Sequence, residues 1–297
     1  MFTAGAVGLL LVACGGAYGT TSPLAAAIGN AACPELTGGA MNATFEEDAR
    51  ANATIRAFVT ASGDLANIAA RAEVEVYGAC ERMAADLGVP ESALRPKGDE
   101  SKVAAACNAV AARMDAILKQ GASAQVRADY TPPQCSVDGS AEAACRGQCN
   151  AEGSAAGNAA SNASGAHASG QASGDARCNA SCKAHADLTA RCSPARVNVQ
   201  STMSAGDLSK LLATLERNLP KLLEAEIAYG KRIAGDVDVL ARTGSELPHA
   251  FGHLSARAGA CVAAAANATF AAQASLRVSV QASASISAKA GAHASGG

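Results

Sequence analysis

Tryptophan is absent from this 297-residue chain, and phenylalanine and tyrosine number only 5 and 4. So few aromatic rings exclude a nucleic-acid surface built on base stacking. They also leave little for an aromatic-lined ligand pocket. An excess of charge is missing too. Lys and Arg total 24 against 26 Asp and Glu, for a formal net charge of -2, and no basic cluster occurs. The counterion-displacing surface of a nucleic-acid binder is therefore lacking. Beyond the N-terminal segment no apolar run reaches the roughly 18 residues of a membrane-spanning helix. Nor is there a GxSxG, a P-loop, or a GxGxxG set between strand and helix.

What the chain has instead is alanine and cysteine, 76 and 11 residues respectively. Alanine is the strongest helix former, which sets the expected class as mainly α. Its short side chain lets helices approach closely but buries little apolar area per residue. Eleven cysteines in such a chain point to an oxidising compartment, where staples supplement a thin core.

Residues 1–13 read MFTAGAVGLLLVA. The apolar run over residues 4–13 is too short to span a bilayer and suits the h-region of a signal peptide. Leu11-Val12-Ala13-Cys14 resembles the lipobox of bacterial lipoproteins, without the usual basic residues ahead of the apolar run. That resemblance covers the export signal alone. It implies cleavage before Cys14, a thioether to diacylglycerol at Cys14, and acylation of the new amino group. Gly16, in place of Asp, implies sorting to the outer membrane, on its periplasmic or exposed side. Each buried CH2 of such an anchor contributes ~0.8 kcal/mol, so several chains hold firmly. Residues 15–32, rich in Gly, Ala, Ser and Thr, read as a flexible tether.

Setting Cys14 aside leaves ten cysteines, an even number. Six form a mirror, Cys135-x9-Cys145-x3-Cys149 and Cys178-x3-Cys182-x9-Cys192. The positions in Cys135/Cys192, Cys145/Cys182 and Cys149/Cys178 all sum to 327, which is the relation between facing residues of an antiparallel hairpin. An x3 spacing puts two cysteines on one helix face. The pattern predicts an αα-hairpin with the disulfides Cys135–Cys192, Cys145–Cys182 and Cys149–Cys178. It resembles the twin CX3C and twin CX9C hairpins of mitochondrial intermembrane-space proteins, over this segment and in staple pattern only, with no function implied. A four-thiolate zinc site at Cys145, Cys149, Cys178 and Cys182 is the alternative. The mirrored outer pair and the long gap between the inner motifs speak for staples. Cys80 and Cys107 flank a turn between neighbouring helices, which pairs them. By elimination Cys33 pairs with Cys261 and clamps the end of the tether to the last helix.

Residues 44–87 carry a heptad stripe of Ile55, Phe58, Ser62, Leu65, Ala69, Ala72, Val76, Ala79 and Met83, the seam of a long packed helix. A second helix begins near Ser101 and ends near Gly121, with Val103, Cys107, Val110, Met114 and Ile117 inward. A third covers 205–242 with Leu208, Leu212, Leu215, Leu219 and Leu222 inward, bent or interrupted by Pro220 and Gly230. A fourth is expected over 249–272. Alternation marks strands at 125–130 and 196–200, with Tyr130 facing Val197 and Ala128 facing Val199 under the same sum. Alternation recurs at Leu276, Val278, Val280, Ala282, Ala284 and Ile286, a third strand for the same sheet. Residues 150–177 have no Leu, Ile, Val, Met or aromatic and cannot bury a core of their own. The last ten residues read as disordered.

The expected architecture is an elongated antiparallel helix bundle with an inserted stapled αα-hairpin and a small three-stranded antiparallel sheet at its base. Its divisions are signal peptide 1–13, anchored tether 14–41, bundle 42–124, insert 125–200, bundle 201–272, and C-terminal strand and tail 273–297. No catalytic or cofactor site is expected. His249 and His253, spaced i,i+4 in HAFGH, are the remaining metal candidates, but the segment lacks the glutamate of HExxH. His167 and His293 fall in low-complexity stretches, and His185 reads as solvent-facing. The function expected is a non-catalytic, lipid-anchored envelope protein with a structural or protein-interaction role, attached to the membrane and projecting its hairpin toward a protein partner. The alternatives are a metal protein or enzyme using His249 and His253, and an α-helical pore-forming or membrane-remodelling protein. The polar hairpin tip argues against the last.

Overall fold

A computed structural model describes residues 33, 40–120, 126–131, 133–159, 167–193, 195–201, 206–232, 234–250 and 254–294. Its spine is helix α1, Ala49–Asp86. Asp48 caps it, the carboxylate accepting from Ala51 N at 2.7 Å and satisfying one of the orphan donors of the first turn. All nine residues of the heptad stripe, from Ile55 to Met83, are 0% exposed. The periodicity therefore maps onto a face that is covered along its whole length. After a turn in which Gly88 and Gly98 adopt positive φ, helix α2 (Lys102–Gln120) runs back along α1. Ser101 caps it through Ala104 N, and the Cys80–Cys107 disulfide joins the two helices.

Strand β1 (Val126–Thr131) pairs antiparallel with β4 (Arg196–Ser201), with Tyr130 opposite Val197 and Ala128 opposite Val199. Between them lie the short strands β2 (Cys135–Ser136) and β3 (Arg191–Cys192), in which Cys135 faces Cys192. Helices α3 (Gly139–Ala159) and α4 (His167–Leu188) form the hairpin. Asp138 stands before α3 and accepts from Ser140 and Ala141. The Ser140 hydroxyl, and then the two backbone amides, hold its carboxyl below the ordinary range. The hairpin tip, residues 160–166, lies outside the described residues.

Helix α5 (Asp207–Glu224) passes through Pro220 without ending. The interruption comes five residues later, as a π-helix over Ala225–Arg232 that contains Gly230. Helix α6 (Ala234–Ala250) follows, then α7 (Ala256–Lys289), capped by Ser255 through Ala258 N at 3.2 Å. The chain ends its described part in β5, Ala292–Ala294.

Four expectations are corrected here. Residues 276–286 are not a strand but the second half of α7, whose buried positions are Leu276, Ser279, Ala282, Ser283, Ile286 and Ser287. That is helical spacing, and serines fill places that a hydrophobic pattern leaves blank. Ser287 returns its hydroxyl to the Ser283 carbonyl at 3.0 Å, and Thr269 does the same to Ala265 at 2.9 Å, so small polar residues are tolerated on the inner face. The fourth helix accordingly spans 256–289, not 249–272. The third strand of the sheet is β5, and it runs parallel to β1, with Ala128 opposite Ala292. Part of the tail read as disordered is thus ordered.

The core falls into two clusters along the bundle. One joins Ile55 through Ala72 of α1 to α6 and to Ala258 through Leu276 of α7. The other joins Val76 through Leu87 to α2, α5 and Ala282 through Ala290. Tyr229, in the π-helix, packs against both.

Candidate functional site

The stapled hairpin concentrates the unusual chemistry of the chain. Its disulfides join Cys135 to Cys192, Cys145 to Cys182, and Cys149 to Cys178. One register runs from the strand pair Val126 and Ser201 through β2 and β3 to the last staple. The sheet therefore fixes which helix faces meet, because a slip of one residue would turn every cysteine away from its partner.

The four inner cysteines are 2% exposed or less and pack on Ala53 and Ala57 of α1. Two alanines at that point let the sulfurs approach the α1 backbone. Farther down α4, Ala184 and Leu188 enter the main core. The stapled part of the hairpin thus lies along the bundle, which corrects the expectation of an element that projects. Two polar contacts fasten it. Arg177 donates to the Glu246 carboxylate of α6 at 2.9 and 3.0 Å. His185 meets the Asp64 carboxylate of α1 through Nδ1 at 2.5 Å.

His185 is not the solvent-facing residue its sequence position suggests. Its side chain is only 19% exposed. The hydrogen bond to Asp64, reinforced by that carboxylate's charge, raises the imidazole pKa against the opposing effect of burial. The partner lies 121 residues away in the chain, so no local pattern exposes the pairing.

The Sγ atoms of Cys149, Cys178 and Cys182 lie within 4.8 Å of one another. All four inner sulfurs are committed to disulfides, and a thiolate, not a disulfide sulfur, is the metal ligand. The zinc alternative therefore does not describe this state of the hairpin. His249 lies near the end of α6 with its imidazole outside the described side chains, and His253 lies outside the described residues.

Cys33 is joined to Cys261 of α7, and both are fully buried. Cys14 and residues 15–32 lie outside the described residues. Among the described residues, no helix is long and apolar enough to cross a membrane. No family model, curated protein or solved structure matches the chain.

Proposed function

We propose that this chain is an exported, lipid-anchored, non-catalytic protein of the bacterial envelope, held at the outer membrane and acting through structural or protein–protein contacts. The observation that carries the reading is the commitment of ten cysteines to five disulfides, which suits an oxidising compartment. The lipobox-like Leu11 to Cys14 adds the anchor, and the staples lend rigidity to a core poor in large side chains. Because the hairpin lies along the bundle, the surface offered to a partner is the outer face of α3, where Ala143, Ala144, Arg146 and Gly147 are exposed.

The anchor is tested by mass analysis of the N-terminal peptide from membranes and by Cys14→Ala. A diacylated or triacylated peptide beginning at Cys14, lost together with membrane fractionation in the variant, is the expected result. An unprocessed N-terminus in wild type refutes the anchor. The contact role is tested with a photo-crosslinking residue at Ala144, and with a control at exposed Glu91, in native membranes. A discrete adduct at Ala144 alone supports it, and no adduct at Ala144 refutes it.

A further inference from the structure

The two core clusters meet at Tyr229, in the middle of the π-helix. A π-helix widens the backbone by one residue per turn and recurs at functional positions. Here it coincides with a cleft of about 450 Å³ between the α5–α6 segment and α7. Val237, Leu276 and Val280 supply apolar lining. Tyr229 lines it too. Burial, then the carboxylates of Glu75 and Glu224, push the phenol pKa up to about 12, against the opposing Arg71. The hydroxyl therefore stays protonated and able to donate.

The walls carry opposite charges. Asp238 comes from α6 and Arg277 from α7, and both are exposed on the rim. Neither side chain has an ion-pair partner among the described residues. This is unlike Arg113 with Asp207, Arg177 with Glu246, and Lys289 with Asp115, which pair across helices in the same molecule. Gln273 and Gln281 flank Arg277 at one helical turn on either side and line the same cleft. Each amide offers both a donor and an acceptor.

We propose that this cleft binds a short peptide with free termini, the carboxylate on Arg277, the ammonium on Asp238, and an apolar side chain on Val237, Leu276 and Val280. An anion alone would leave the Asp238 charge of the same cleft unpaired, and a cation alone would leave Arg277 unpaired. A purely apolar ligand would desolvate both charges without pairing either. A zwitterion satisfies the two walls together, and the guanidinium fork matches a carboxylate. The glutamine amides beside Arg277 would bond the peptide group next to the carboxylate. A volume of about 450 Å³ sits at the small end of ligand sites, which suits two or three residues. This inference is independent of the envelope role.

The test is isothermal titration of the disulfide-intact protein with leucyl-leucine and trileucine. N-acetyl-leucyl-leucine and leucyl-leucine amide each remove one terminal charge. The expected result is saturable binding of a free peptide with Kd below about 1 mM and a loss of about tenfold for each capped form. Arg277→Gln should weaken free peptide about tenfold yet leave the amide unchanged, and Asp238→Asn should do the same toward the acetylated form. Both residues are exposed, so circular dichroism and Tm should match wild type. The proposal is overturned if neither free peptide saturates by about 10 mM, or if capped and free forms bind alike.

Discussion

The Sγ of Cys149 lies 3.6 Å from the Sγ of Cys182, although the two belong to different disulfides. The inner staples are therefore stacked closely enough for one sulfur to reach the neighbouring bond. A thiolate exchanges with a disulfide by direct attack on sulfur. Cys145→Ser frees Cys182 beside Cys149–Cys178. After oxidative refolding, peptide mapping under non-reducing conditions should show Cys149 joined to Cys178 in part and to Cys182 in part. Native pairing alone would mean that the register set by the base sheet outweighs proximity.

The His185–Asp64 contact predicts a pH dependence with a definite sign. Because the folded-state pKa of His185 is raised above its ordinary value of 6.5, the stabilisation is complete below pH 6.5. It is lost as pH rises through the higher folded value. Asp64 is the charged group that faces the ring. His185→Gln should lower stability by about 1–2 kcal/mol at pH 6 and flatten the decline on the alkaline side. Urea unfolding at a series of pH values checks both, and an unchanged slope would remove the pair as the source.

Two glycines should respond in opposite directions to the same substitution. A Cβ at Gly244 would lie 2.8 Å from Phe58 Cζ and 3.1 Å from Ala266 Cβ, where α6 meets α1 and α7. Phe58 is fully buried and has little room to yield. Gly244→Ala should cost about 1–3 kcal/mol. At Gly259 in α7 a Cβ meets nothing within 4 Å, so Gly259→Ala should stabilise by about 0.5–1 kcal/mol through helix propensity. Thermal unfolding of the two variants side by side is the measurement.

Asn52 gives a fourth test. Its carbonyl oxygen accepts from Phe45 N at 2.8 Å and Glu46 N at 3.4 Å. The same two residues receive Ser255, the N-cap of α7, on the Glu46 carboxylate and the Phe45 carbonyl. Asn52→Ala should cost about 1–3 kcal/mol by orphaning buried donors. Asn52→Asp keeps the acceptor and should cost less. Hydrogen exchange at the start of α7 should rise in the alanine variant and stay near wild type in the aspartate variant.

Much of this fold is written locally. The seam of α1 is a run of threes and fours, and every member is buried because one face of a helix is all a long packed element can hide. The hairpin register is legible because strand pairs and helical staples obey one antiparallel relation. The second half of α7 is not legible, because Leu276, Val278, Val280 and Ile286 alternate by accident while its inner face is completed by serine. The parallel strand β5 is hidden for another reason, since three residues of Ala and His carry no pattern. The His185–Asp64 contact and the cleft beside Tyr229 depend on which helices meet, and that is decided by long-range packing.

The Cys33–Cys261 bond also determines how the protein carries a load. Its two cysteines are 228 positions apart, so tension applied between the ends of the chain passes from Cys33 straight into α7. Helices α1 through α6, strands β1 through β4 and the stapled hairpin hang inside the closed loop, whereas α7 beyond Cys261 and strand β5 lie in the line of force. Pulling would peel β5 from β1 and load the packing of α7 on α1 first, and cleavage of this one bond would open the covalent path through α1 to α6.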